Sequence, residues 1–171
     1  MIIVLTGPES SGKTQLAEAL SRQLNLPVVR EHARSFLQPG ASYTHEQPSD
    51  LIQLLELQTR SEEGAHSLIL DTDVLSLIIW WREKYGPVPE IFQHTMRTQL
   101  PRHYLLCAPD LVWQPDPLRE NPHDRERLFA LYERELTLRG LSFDVVLGVG
   151  QSRIDSALAA LAKRPAHFSI G

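Results

Sequence analysis

The sequence predicts an α/β protein in three layers, with a five-stranded, mainly parallel sheet flanked by helices. Three observations carry that expectation. Short apolar runs alternate with longer segments of helical period, which is the pattern of βαβ units. The chain has 171 residues, 42% of them hydrophobic and 22% charged, enough for one substantial core and read here as one domain over 1–171. The first apolar run, Ile2-Ile3-Val4-Leu5, leads directly into Gly7-Pro8-Glu9-Ser10-Ser11-Gly12-Lys13-Thr14, a complete G-x-x-x-x-G-K-[ST] phosphate loop. A strand before that loop and the helix-compatible Gln15 to Leu20 after it make the expected architecture a P-loop NTPase fold.

Strands are expected at Ile2–Thr6, Pro27–Arg30, Ser67–Asp71, Arg102–Cys107 and Asp144–Leu147, each a short apolar run bounded by polar residues. Leu51, Leu54, Leu55 and Gln58 fall at helical spacing, so a helix is expected from Ser49 to Glu63, capped by Ser49 or Asp50. Val74 to Lys84 reads as another helix. Leu128, Leu131, Leu136 and Leu138 among charges predict a helix over Asp124 to Leu138, and the alanine- and leucine-rich stretch Ser152 to Ala162 predicts the last. Between the fourth strand and the Asp124 helix lie Pro109, Pro115, Pro117 and Pro122 with Arg119, followed by Arg125 and Arg127. A proline-rich, arginine-bearing connection after a central strand reads as a lid over roughly 109–125, near the sheet edge where such folds collect ligands.

The phosphate loop carries the chemistry. Glycines at 7 and 12 let the backbone approach phosphate oxygens, and the N–H groups of Glu9, Ser10, Ser11 and their neighbours, with the following helix N-terminus, stabilise negative charge. Lys13 is placed to reach the β and γ phosphates of ATP, and the Thr14 hydroxyl to coordinate Mg²⁺. Asp71 ends an apolar strand, the position of a carboxylate that orders the Mg²⁺ hydration shell beside Thr14. Asp73, just beyond, suits metal, substrate or the cap of the next helix equally. After the second strand stands Arg30-Glu31-His32-Ala33-Arg34, where Glu31 is positioned to accept a proton from an acceptor hydroxyl and Arg34 to neutralise developing charge. An exposed Glu31–Arg34 pair on a helical turn is the plain alternative.

Taken with Gln58, Asp71-Thr72-Asp73 and the block Pro109-Asp110-Leu111-Val112-Trp113 through Asp116 and Arg119, these motifs resemble the ribosylnicotinamide kinase domain of the NadR family over nearly the whole chain. The resemblance implies ATP-dependent phosphorylation of the 5′-hydroxyl of nicotinamide riboside, giving nicotinamide mononucleotide. It also implies that Glu31 with Asp71 or Asp73 holds ribose and metal, while Arg119 and Arg125 close over the phosphates. The alternatives are a kinase for another nucleoside or nucleotide, and a nucleotide-dependent regulatory ATPase. Two departures stand out: proline at 117, where the family has glycine after the aspartate, and Arg30, His32 and Thr59 where it has aromatic residues. The adenylyltransferase and DNA-binding segments that family members carry do not fit in 171 residues.

Trp113, among the lid prolines, suits stacking on the substrate or hinging the lid, while Trp80 and Trp81 suit either a base platform or the core. Gly148 to Arg153 is the segment expected to pass the adenine, with Arg153 on the nucleotide side, or else to be a plain turn. Seven histidines without metal-ligand spacing, and no companion for Cys107, argue against a zinc site and a disulfide. A net charge of −4 argues against a cationic nucleic-acid surface. No apolar run is long enough to span a bilayer and no signal segment leads the chain, so a cytoplasmic protein acting on a small-molecule nucleoside is expected.

Overall fold

In a computed structural model, which describes residues 1–32, 48–64, 67–115 and 123–163, the strands form one parallel sheet. They are β1 (Ile2–Thr6), β2 (Val28–Val29), β3 (Leu68–Asp71), β4 (Arg102–Cys107) and β5 (Phe143–Val146), in the order β2-β3-β1-β4-β5. The register sets Ile2 beside both Leu68 and Arg102, and Leu5 beside Asp71. Central strands of such a sheet are covered on both faces, which is why they read as continuous apolar runs rather than alternating ones.

The period-two alternation is still present, dividing the strands between two cores. Ile2, Val4, Leu68, Leu70, Tyr104 and Leu106 face one layer, built by α2 (Pro48–Ser61), α3 (Val74–Tyr85), α4 (Glu90–Thr98) and α5 (Arg125–Leu138). Ile3, Leu5, Ile69, Leu105, Cys107 and Val146 face the other, where α1 (Lys13–Leu24) and α6 (Gln151–Ala162) pack with Leu16, Leu20, Ala157 and Ala160. Small alanines on both of these helices let α1 and α6 approach each other. The helix α1 ends where Asn25 adopts a left-handed conformation and its N–H donates to the Ser21 carbonyl.

The five strands and five of the six described helices fall where the sequence predicts, with edges moved. Edge strand β2 keeps two residues of the expected four, and β5 starts one residue early at Phe143, beside Tyr104. Helix α2 begins at Pro48, a residue whose fixed φ suits a first helical position, so Ser49 and Asp50 lie in the first turn instead of capping it. Asp124 stands at the N-cap position of α5 with no side-chain cap bond. Helix α4 was not expected, although Phe92 and Met96 at i, i+4 with polar residues between them carry a helical period. It packs on α3, where Trp81 meets Phe92 at 5.2 Å and Tyr85 at 5.3 Å between ring centroids, and its indole N–H donates to the Pro87 carbonyl.

Candidate phosphate and acceptor site

Because β1 and β3 are neighbours running the same way, the loop leaving β1 and the residues leaving β3 arrive at one sheet edge, the carboxyl edge where open α/β sheets bind ligands. The loop is shaped by its backbone. Gly7 has φ 127° and a Cβ there would lie 2.7 Å from the Cys107 carbonyl oxygen, so glycine is required on both counts. Gly12 has φ 75° and a Cβ there would lie 2.6 Å from Leu111 Cδ1, while Ser10 takes φ 54° as a non-glycine residue. The Ser11 hydroxyl donates to the Pro8 carbonyl at 2.7 Å, and Lys13 Nζ donates to the carbonyls of Gly7 and Pro8 at 2.9 and 2.8 Å. These bonds close the loop into a ring around the start of α1.

On the metal side, Thr14 Oγ1 donates to Asp71 Oδ2 at 2.6 Å. Asp71 is 2% exposed at the end of β3. A hydroxyl and a carboxylate joined at the foot of a phosphate loop are hard oxygen donors of the type Mg²⁺ takes, with water and phosphate completing its shell, so the residues present fit that ion. No cluster of three or more His, Cys, Asp or Glu suited to a metal occurs among the described residues.

A cavity of about 440 Å³ opens above this edge. Its floor is the loop from Gly7 to Gln15, with Glu31 and Thr72 beside it; α3 contributes Ile79, Trp80, Glu83 and Lys84, α5 contributes Arg127, Leu128 and Tyr132, and Leu111, Val112 and Gln114 close the lid side. Glu31 thus shares one space with the phosphate loop. Burial pushes the Tyr132 phenol well up against the opposing pull of Ser76, and the nearby negative charges of Glu31 and Glu9 add to the rise, so it keeps its proton. Burial also lowers the pKa of His32, favouring the neutral imidazole next to Glu31.

Several expected residues sit elsewhere. Asp73 is fully buried: Oδ1 accepts from Leu75 N–H at 3.0 Å as the cap of α3, and Oδ2 accepts from the Tyr104 hydroxyl at 2.7 Å and from Arg102 Nη1 at 3.4 Å. Of the readings open for it, the cap is the one observed, and an acceptor-side role is not carried further. Burial raises its pKa against the pull of Arg102 and Tyr104. Arg153 is 4% exposed and approaches the loop from behind, donating to the carbonyls of Ser11, Ala108 and Gly148 at 2.6, 3.0 and 2.8 Å and to Asp110 Oδ1 at 2.6 Å. These bonds make Arg153 a buckle between loops. Arg125 donates to the Leu111 carbonyl at 2.8 Å and lies 5.7 Å from the Trp113 ring centroid, fixing the lid base to α5. Trp113 is absent from the cavity lining, which Trp80 joins instead while Trp81 enters the core. Arg34, Asp116, Pro117 and Arg119 lie outside the described residues.

Sequence reasoning passed over Glu83, Lys84, Leu128 and Tyr132. The signal was present: Trp80, Glu83 and Lys84 stand at i, i+3, i+4, and Leu128 and Tyr132 at i, i+4, so each set shares one helix face. Nothing in spacing alone says that the face borders a cavity. Arg127 is held there by Asp124 at 2.8 Å and Glu83 at 2.5 Å.

The fold and the loop define a P-loop protein with the architecture of a kinase. Over residues 2–153 the chain matches, and belongs to, the family described as an AAA domain. Among solved structures it is similar to NadR protein in complex with NR, at 19% identity and a TM-score of 0.79, covering 95% of this chain and 50% of that one, so the chain spans half the length of that protein. It is also similar to deoxyadenosine kinase from M. mycoides with dCMP and dCDP bound, at 16% identity and a TM-score of 0.70, covering 95% and 98% of the two chains. Shikimate kinase from Aquifex aeolicus follows at 18% identity, full coverage of both chains and a TM-score of 0.55. At these identities the likeness is one of fold. No curated protein matches the chain in sequence. No helix among the described residues is long and apolar enough to cross a membrane.

Proposed function

We propose that residues 1–171 act as one kinase domain that transfers the γ-phosphoryl group of ATP to the 5′-hydroxyl of nicotinamide riboside. The observation that carries this reading is the single cavity in which Glu31 faces the same space as the phosphate loop, under walls of Trp80, Leu128 and Tyr132. Phosphoryl transfer asks the protein mainly for positioning and charge neutralisation. The loop N–H groups and Lys13 hold the β and γ phosphates, and Glu31 orients the acceptor hydroxyl and takes its proton. Thr14 and Asp71 would hold Mg²⁺, which when bound draws charge from the transferring oxygens. Trp80 offers a planar surface for the base, and Tyr132 a protonated hydroxyl for the sugar or ring. Both Arg119 and Arg34 are assigned to the phosphates by motif.

The test is ADP release with Mg·ATP across nicotinamide riboside, common nucleosides and nucleoside monophosphates, with products identified by mass spectrometry. Selective turnover of nicotinamide riboside supports the reading. Turnover of another nucleoside keeps the mechanism and reassigns the base pocket. Hydrolysis that no acceptor accelerates, with no phosphorylated product, sinks the kinase reading in favour of a nucleotide-dependent switch.

A further inference from the structure

Below the turn that follows β3, away from the large cavity, a set of buried polar side chains from four elements is joined end to end. Arg102, from the start of β4, donates through Nη2 to Glu62 Oε2 at 2.8 Å and through Nη1 to Asp73 Oδ2 at 3.4 Å. Tyr104 donates its hydroxyl to the same Asp73 oxygen at 2.7 Å and accepts from Gln99 Nε2 at 3.1 Å. Glu62, just past α2, takes a further bond at 2.9 Å from Nε2 of Gln58, one turn back on that helix. The side chains of Arg102 and Asp73 are 2% and 0% exposed.

A buried ionic bridge of this kind is weak support for stability, since apolar groups of the same volume serve as well or better. Its geometry explains more. Asp73 is two residues after Asp71, and between them Thr72, a β-branched residue, holds φ 75° in the left-handed region. Such a conformation persists only where its surroundings over-determine it. Thr72 is fixed on one side by its N–H bond to the Leu5 carbonyl at 3.0 Å, and on the other by Asp73, whose carboxylate is locked between the α3 cap and Arg102. The direction of Asp71 toward Thr14 is therefore set by a turn that Arg102 and Tyr104 hold. The same chain reaches Gln58, which with Glu31, Thr72 and Asp73 lines a small recess sharing three residues with the large cavity.

We propose that Arg102, acting with Tyr104 and Glu62 through Asp73, is a positioning residue that aims Asp71 at the metal side of the phosphate loop. It does so without touching nucleotide or metal. The inference rests on the assignment of Thr14 and Asp71 to Mg²⁺ in the kinase reading, but its test needs neither turnover nor an acceptor. ATP binding is measured by calorimetry on the full chain, in excess Mg²⁺ and in EDTA, for the wild type, Arg102→Met, Arg102→Lys and Tyr104→Phe. Partners that orient a ligand residue typically change metal affinity by about 10–100-fold. Arg102→Met should reduce the Mg²⁺-dependent gain in ATP affinity by about tenfold, with binding in EDTA unchanged and Arg102→Lys restoring part of the loss. Tyr104→Phe, which keeps the ring and removes one bond to Asp73, should give a smaller reduction in the same direction.

Folded variants with the wild-type Mg²⁺ gain would overturn the inference, as would a loss equal in EDTA and in Mg²⁺, which is what a purely structural role produces. If Arg102→Met does not fold, an unchanged gain in Tyr104→Phe and Arg102→Lys overturns it just as well. A wild-type chain with no Mg²⁺ gain overturns the metal assignment and this inference together, whereas a gain in the wild type matched by the variants overturns the inference alone.

Discussion

At the scale of single residues, the ionic side chains of the motifs either border the cavity or are held by partners within the fold. Lys13 and Glu31 line the cavity that the motifs imply. Lys13→Ala should leave the far-UV spectrum unchanged and lower kcat by about 10²-fold or more, the usual cost of removing one preorganised charge from a transition state. Wild-type kcat in a folded variant would remove Lys13 from the mechanism. Glu31→Gln is expected to lower kcat by about 10²-fold while ATP affinity stays within roughly twofold, because it acts on the acceptor side. An equal loss of ATP affinity would move Glu31 to the nucleotide. Asp73, Arg125 and Arg153 show the other half: their residue types suit the site, yet their charges are spent on a helix cap, a lid carbonyl and a buckle between loops. Which of these an ionic side chain takes depends on partners 2 to 142 positions away, and all but the Asp73 cap lie beyond any local pattern.

Among elements, strands announce themselves because a parallel sheet covered on both faces needs unbroken apolar runs, and helices because one face must be apolar. Helix α4 is the exception: its period was there to be read, with Phe92 and Met96 on one face of nine residues, but the segment is short and bracketed by Pro89 and Pro101. The cap of α2 was misplaced by one turn position since Pro48 already serves as its first residue. The element most sharply specified is the loop from β1 to α1, where Gly7 is bound by φ and by the Cys107 carbonyl together. Gly7→Ala should destabilise the chain by about 1–3 kcal/mol, the scale of a strained backbone conformation, and weaken ATP binding. Chemical denaturation with and without Mg·ATP measures both, and an unchanged midpoint would show that the loop relaxes around a methyl group.

Across the whole molecule, two arginine–carboxylate clusters tie the layers. Arg153 bonds to the phosphate loop, the end of β4 and the segment after β5 at once. Arg153→Met should cost about 3 kcal/mol in denaturant unfolding, as expected when bonds to a buried charge are lost, and should loosen nucleotide binding through the loop. An effect on binding with no loss of stability would return Arg153 to the nucleotide side. Glu135 joins α5 to α3 through Arg82 and pairs with Arg139 at the end of its own helix. Burial works to raise its pKa, but the two guanidiniums more than offset that and hold it below the ordinary glutamate value. Its contribution is thus complete above the unfolded pKa and is lost as pH falls through the lower, folded one. Glu135→Gln should flatten the acid limb of a stability–pH curve below about pH 4.5 and lower stability at neutral pH. A variant whose acid limb matches the wild type would show that the cluster contributes nothing to the acid transition. By itself the sequence determined the α/β class, the phosphate loop and the Asp71 partner, because backbone approach to phosphate and burial on both faces of a sheet leave few residue choices. Only the tertiary structure decided that Trp80 faces the cavity and Trp81 the core, and which charges serve the cavity and which the frame, since side-chain direction is fixed by packing between elements distant in sequence.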